Sequence, residues 1–248
     1  MRHARPATLV FVLAAALLSA RPAGADEHRF RVRVGGGAAL GTIGWSTVST
    51  WEVHQETAEL EADYEAGLGP AFEAGLDVRV SRAFGLRAAV SWSRRDADAS
   101  LQARIPHPFF FDRPRGLEAG VSSLEYRQLA SHFDLEWRPV TGRLEVALFG
   151  GVYLVRVEAD LVERVEYDED YPFDEVSFRT AVLERVRSDA GLGWSAGASV
   201  SHTLGSRVAF GVQARYTTAR LDLVRVEGDA VPLDVGGVQL LATLSVGF

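Results

Sequence analysis

The chain has 248 residues, 26 basic and 33 acidic, and no cysteine, which excludes disulfides, thiolate metal sites and a lipid-bearing N-terminal cysteine. Its formal charge of −7 argues against nucleic acid as a partner. With 47% apolar and 10% aromatic residues, it has material enough for one large β domain.

At the N-terminus Arg2 and Arg5 precede an apolar run from Thr8 to Leu18, which Arg21 and Pro22 end before Ala23-Gly24-Ala25. A positive start, an apolar core too short to span a bilayer and a small-x-small site predict a signal peptide over 1–25. Cleavage after Ala25 leaves a domain of residues 26–248. That domain loses Arg2, Arg5 and Arg21 and no acid, so 23 basic residues face 33 acidic ones, a net charge of −10. Nothing after Ala25 resembles a transmembrane helix.

A first strand is expected around Phe30 to Leu40. Its Gly35-Gly36-Gly37 is followed by strand-like sequence and no helix, which excludes a phosphate loop. From Leu68 onward the chain alternates with period two, placing successive side chains on opposite faces of a strand. Leu68, Pro70, Phe72, Ala74, Leu76, Val78 and Val80 share one face; Glu73, Asp77 and Arg79 lie on the other with Gly69, Ala71 and Gly75. After a turn at 81–83, Phe84, Leu86, Ala88, Val90 and Trp92 oppose Gly85, Arg87, Ala89, Ser91 and Ser93. Leu129, Ser131, Phe133, Leu135 and Trp137 then oppose Gln128, Ala130, His132, Asp134, Glu136 and Arg138. Beyond a turn at 140–142, Leu144, Val146, Leu148, Val152 and Leu154 oppose Glu145, Ala147, Phe149, Gly151 and Tyr153. Leu192, Trp194, Ala196, Ala198 and Val200 oppose glycine and serine, so Gly191-Leu-Gly-Trp-Ser195 is strand and no nucleophile elbow. A turn at 205–206 leads to Val208, Phe210, Val212, Ala214 and Tyr216 against Ala209, Gly211, Gln213, Arg215 and Thr217. The chain closes with Val238, Leu240, Ala242, Leu244, Val246 and Phe248, making eight strands.

Short turns alternate with long segments near 42–63, 95–120, 159–188 and 222–235, as where one rim of a barrel faces the periplasm and the other the outside. The rhythm of Val176, Phe178, Val182 and Val186 suggests that the third long segment is a protruding hairpin. A ten-strand count, splitting the first or third long segment, is the alternative.

A soluble barrel with an apolar interior would alternate in the same way. Against it, the polar face is rich in glycine and serine, which suits a narrow lumen better than a wet surface. The large aromatics also sit near strand ends: Phe84, Trp137 and Phe248 toward the short turns, Trp92, Trp194 and Tyr216 toward the long segments. Phe84 and Trp92 lie ~19 Å apart in height at a tilt near 45°, close to the spacing of two aromatic girdles. With its strand pattern and its last strand ending in Phe248, the chain resembles the small OmpA-, OmpX- and OmpW-type outer-membrane barrels, without matching one subfamily. That resemblance implies recognition of the C-terminal strand by the barrel assembly machinery.

An eight-stranded barrel is nearly filled by its own side chains. The expected lining sets Glu73, Asp77, Asp134, Glu136 and Glu145 against Arg79, Arg87, Arg138 and Arg215, and unpaired charge there is costly. Projection from the turns predicts that Asp77 approaches Arg87 and Arg138 approaches Glu145. A salt-bridged plug is the favoured reading, a gated pore the other.

Catalytic signals are weak. Ser131-His132 and Ser201-His202 are adjacent strand residues that point to opposite faces, while His54 and His107 fall in long segments with no marked partner. Phe109, Phe110 and Phe111 form an apolar loop that either stands exposed as a contact patch or folds over its own barrel. The acidic run at 166–170, with Asp174 and Glu175, lacks EF-hand spacing and reads as a solvated loop.

The combined expectation is an all-β chain: a monomeric, transmembrane, up-and-down antiparallel eight-stranded β-barrel in the outer membrane of a Gram-negative bacterium. No enzymatic activity, cofactor or metal is expected. The leading role is structural or surface interaction through long loops; the alternatives are a narrow channel for small or hydrophobic solutes and a lipid A-modifying enzyme. The expected partners are outer-membrane lipid and lipopolysaccharide, the assembly machinery and an extracellular protein.

Overall fold

The computed structural model describes residues 29–205, 207–224 and 230–248. The expected signal peptide therefore lies outside the described residues. In chain order the strands among them are β1 (Phe30–Leu40), β2 (Ile43–Val53), β3 (Glu56–Ala66), β4 (Gly69–Arg79), β5 (Phe84–Ile105) and β6 (Arg115–Val140). There follow β7 (Leu144–Asp168), β8 (Ser177–Ser188), β9 (Gly191–Leu204), β10 (Val208–Val224) and β11 (Ala230–Gly247).

Eight of them close an antiparallel ring in the order β1-β4-β5-β6-β7-β9-β10-β11, with β11 returning to β1. Closure satisfies the backbone groups that an open sheet leaves bare at its edges. Where the ring meets itself, the Phe248 N–H donates to the Phe30 carbonyl at 2.8 Å and the Phe30 N–H to the Phe248 carbonyl at 3.4 Å. The eight expected strands are present, and β2, β3 and β8 add to them without enlarging the ring.

These three replace shorter strands higher up. β4 pairs with β5 from Arg79↔Gly85 to Ala71↔Ser93, and β3 continues along β5 from Ala66↔Ala97 to Glu59↔Arg104. In the same way β9 accompanies β7 up to Val155, and β8 takes over from Glu158. The links between the replaced strands meet one side chain at the handover level. Buried Arg95 donates to a carbonyl in each of two links, Gly41 O at 2.7 Å and Gly67 O at 3.2 Å.

The result is a barrel of two storeys, which β5 shows along its length. Its odd-numbered residues face inward throughout and its even-numbered ones outward. In the lower storey the inward residues are Arg87, Ser91 and Ser93, and the outward ones are Phe84, Leu86, Val90 and Trp92. In the upper storey the inward residues are Ala97, Ala99, Leu101, Ala103 and Ile105, and the outward ones are Asp96, Asp98, Ser100, Gln102 and Arg104. The upper interior is a dry core that includes Trp45, Leu60, Tyr64, Tyr126, Val157, Leu161, Leu221 and Leu233. Trp45 stacks on Tyr64 with centroids 5.0 Å apart, and the Tyr64 hydroxyl accepts from the Val162 N–H across the tower at 2.8 Å.

The segments expected as long loops at 42–63, 95–120 and 159–188 are therefore largely strand. One local device keeps them in phase. Ser123 adopts φ 66°, and a register shift lies opposite it between Ala97 and Ala99. This bulge lets β6 place Leu124, Tyr126 and Gln128 inward below it and Leu117 inward above it. A one-residue slip would otherwise turn the upper apolar set outward.

Candidate functional site

The lower lumen holds all nine expected charged residues, and they form one network. Arg215, 1% exposed, binds Glu73 at 3.1 Å and Asp134 at 3.1 Å. Arg87 lies 3.4 Å from Asp77 and 3.3 Å from Glu136. The Arg138 Nε donates to Glu136 at 2.5 Å and is 3.6 Å from Glu145, and Arg79 reaches Glu145 at 3.0 Å. Both pairings projected from the turns, Asp77 with Arg87 and Arg138 with Glu145, are thus present.

Several members had no distinct sequence signal. Arg33 donates to Asp77 at 2.7 Å and lies 3.2 Å from Glu73, and Arg31 donates to Glu145 at 2.7 Å. Both belong to the glycine-rich first strand, whose alternation has little contrast. Gln213 accepts from Arg87 at 2.7 Å, and the Ser195 hydroxyl donates to Asp134 at 2.5 Å. Phe149 packs between guanidiniums, with Arg87 at 3.9 Å and Arg215 at 5.0 Å from its ring centre. The inward glycines make room for such rings. Gly197 pairs with Phe149 in the register, and a Cβ there would meet the ring at 2.4 Å; Gly193 stands in the same relation to Tyr153 at 2.3 Å.

On the outside Phe84, Trp92, Trp137, Trp194, Tyr216 and Phe248 all project away from the barrel, between 37% exposed for Trp92 and 68% for Trp194. Ser131 and His132 point to opposite faces. The buried His132 instead meets Ser91 across the β5–β6 pair, Oγ to Nε2 at 2.8 Å, and its ring stacks on Tyr153 at 5.4 Å. Among the described residues its Nδ1 has no hydrogen-bond partner, so none of their carboxylates orients the imidazole as a triad would need.

The second constellation crowns the upper storey. Phe109, Phe110 and Phe111 are 69%, 54% and 70% exposed at the top of the upper storey. Phe109 packs edge-on against Phe173 at 5.5 Å, and Phe173 against the exposed Tyr171 at 6.1 Å, so the tips at 106–114 and 169–174 share one surface. Buried Arg115 bolts them together. It donates to the Pro106 carbonyl at 2.8 Å and the Phe173 carbonyl at 3.0 Å, and it pairs with Glu169 at 2.6 Å. The first hairpin joins through Glu56, which accepts from the Asp112 N–H at 2.9 Å.

Two expectations need correction here. His54 and His107 do have partners: His54 lies 3.8 Å from Glu169, while buried His107 accepts from the Phe109 N–H at 3.1 Å and faces Asp174 at 3.9 Å. Burial beneath the tip, invisible in the sequence, supplies the partners of His107, whereas His54 meets Glu169 at the exposed turn between β2 and β3. The acidic run is also not wholly solvated, because Glu169 is tied to Arg115 and Asp168 to Arg179. No group of three or more His, Cys, Asp or Glu side chains is placed to hold a metal ion among the described residues.

No family model matches the chain, and no curated protein matches it. Among solved structures it is similar to the outer membrane protein OprG from Pseudomonas aeruginosa, at 10% identity and TM-score 0.45 over 90% of this chain and 97% of that one. It is also similar to the outer membrane protease OmpT from Escherichia coli, at 8% and 0.46 over 92% and 99%. A third is Ail, the attachment invasion locus protein of Yersinia pestis, at 9% and 0.36 over 90% and 99%. Likenesses this distant leave the functional reading to rest on the chain's own residues.

Proposed function

We propose that the chain is an integral outer-membrane β-barrel with a closed, non-catalytic lumen, and that it presents its aromatic crown to a partner outside the cell. The membrane reading is supported by the lower storey's outer wall, where Val32, Phe72, Leu86, Phe133, Leu135, Leu148, Phe210, Val212 and Leu244 are 43–70% exposed. An apolar belt of this kind exceeds the patches that soluble monomers expose, and the aromatics at its two margins fit interfacial girdles. The side with the short turns and Phe248 then faces the periplasm.

Two plugs in series support closure: the arginine–carboxylate network below and the dry core above it. The observation that carries the surface role is the Arg115 clamp beneath Phe109, Phe110 and Phe111. A patch held rigid before contact loses less entropy on binding, and large aromatics are typical anchors of interfaces. The test has two arms. Planar bilayers containing the protein should stay silent, and cells bearing Phe109→Ser, Phe110→Ser and Phe111→Ser should lose surface adhesion while keeping the folded barrel. Steady conductance, or undiminished adhesion of the triple variant, would refute the respective half.

A further inference from the structure

Around the barrel, the first outward residue above the apolar belt differs by sector. On three adjacent strands it is arginine: Arg94 above Trp92 on β5, Arg127 above Leu129 on β6 and Arg156 above Leu154 on β7. Arg187 and Arg185 continue the row on β8. Elsewhere the same level holds Thr218 on β10, Gly236 on β11 and Glu65 on β3.

The row carries an electrostatic debt. The register sets Arg94 directly opposite Arg127, a like-charge pair that destabilises a sheet unless an anion joins it. Glu125 meets that need in part: one carboxylate serves Arg94 at 2.9 Å, Arg127 at 2.7 Å and Arg185 at 3.1 Å. Asp160 holds Arg185 at 2.8 Å and Glu158 holds Arg187. Asp96 is exposed one step above Arg94. Arg156 has no ion pair among the described residues. Among the described residues, Glu125 is the one carboxylate that pairs with any of Arg94, Arg127 and Arg156, on a chain that is acidic as a whole.

We propose that Arg94, Arg127 and Arg156 form a binding site for the phosphate groups of an outer-leaflet glycolipid, with its acyl chains against Trp92, Leu129 and Leu154. The planar fork of a guanidinium matches phosphate oxygens in two-point contacts. The site's height selects a lipid over a free ion, because only a lipid-borne phosphate brings chains to bury against the belt immediately below. This inference rests on the membrane reading, since it needs that belt to lie in lipid.

Native mass spectrometry of the purified protein in detergent micelles tests it, with bis-phosphorylated lipid A, its dephosphorylated form and inorganic phosphate as probes. Bis-phosphorylated lipid A should bind the wild type at least tenfold more tightly than the variant carrying Arg94→Gln, Arg127→Gln and Arg156→Gln. The dephosphorylated lipid should not distinguish the two proteins, and millimolar phosphate should not displace the lipid. Arg156→Gln alone, which breaks no ion pair, should weaken binding about threefold and stands in if the triple variant does not fold. Equal binding to wild type and variants, or displacement by phosphate, overturns the site. A chain that stays soluble without detergent overturns the membrane reading itself, which is a separate outcome from unchanged lipid binding in micelles.

Discussion

The lower and upper storeys share β5, which keeps one inward parity along its whole length, yet their chemistry is reversed. Below Arg94 the chain hides charge and shows hydrocarbon; above Arg94 it does the opposite. Period-two alternation therefore reports that a strand has two unlike faces and is silent on which face meets the surroundings. What the surroundings reward decides that. On the proposed membrane reading, water above rewards a dry core and lipid below rewards an apolar exterior, with the interior then left to polar groups that must satisfy one another.

The comparison breaks most severely if one member of the lower network is removed. Arg215→Ala leaves Glu73 and Asp134 without their shared partner, and removal of one side of a buried ion pair costs about 3–5 kcal/mol. Urea unfolding from lipid vesicles should show that loss, whereas a variant within 1 kcal/mol of wild type would mean that the network is not load-sharing.

A charge placed on the outer wall sharpens the contrast between storeys. Phe133→Arg lies midway up the belt and should cost roughly 2–4 kcal/mol. Ser100→Arg, outward on the tower, should stay within about 0.5 kcal/mol of wild type. Equal costs in the same unfolding measurement would erase the distinction.

A smaller effect isolates the upper core. Tyr64→Phe removes a hydrogen bond accepted from the buried Val162 N–H, a loss worth about 0.5–1.5 kcal/mol. Hydrogen exchange should quicken around Val162 and Tyr64 while the lower strands keep their protection; a uniform change would tie the storeys into one cooperative unit.

The smallest effect is a pH response on the tower wall. Partial burial pushes the Asp160 carboxyl upward, but hydrogen bonds from Arg185 and from the Glu125 N–H, with the nearby arginine charges, outweigh it and hold the group below its ordinary 3.8. A depressed folded value means that the contribution is complete above 3.8 and is lost as pH falls through the lower folded value. Arg185→Gln should flatten that acid limb slightly, as expected for a solvent-screened pair, and an unchanged limb would remove Asp160 from the account.

Much of the lower storey was legible in the sequence because its contrast is strong. Phe84 to Trp92 against Arg87 fixes a face, and the tight turn at 81–83 fixes which residues meet across it, so Asp77 could be matched to Arg87. The upper storey hid for the opposite reason. The run from Asp96 to Ile105 keeps the period, but alanine and serine supply little contrast, and its polar outward face does not match a lipid-facing strand. The replacement of β4 by β3 and of β9 by β8 is a matter of long-range pairing that no local pattern encodes. Arg115 and His107 are similar cases: a single arginine and a single histidine near a loop tip have nothing in their neighbours to announce that folding will bury them against Pro106 and Phe109.

The reversal itself is open to direct measurement, since the chain has no cysteine of its own. Single spin labels at Leu86, Val90, Asp98 and Gln102, all outward on β5, should be read in bilayers for collision with oxygen and with a water-soluble nickel complex. The account predicts oxygen-dominated relaxation at 86 and 90 and nickel-dominated relaxation at 98 and 102, with the crossover at Arg94. Nickel access at all four positions would contradict it.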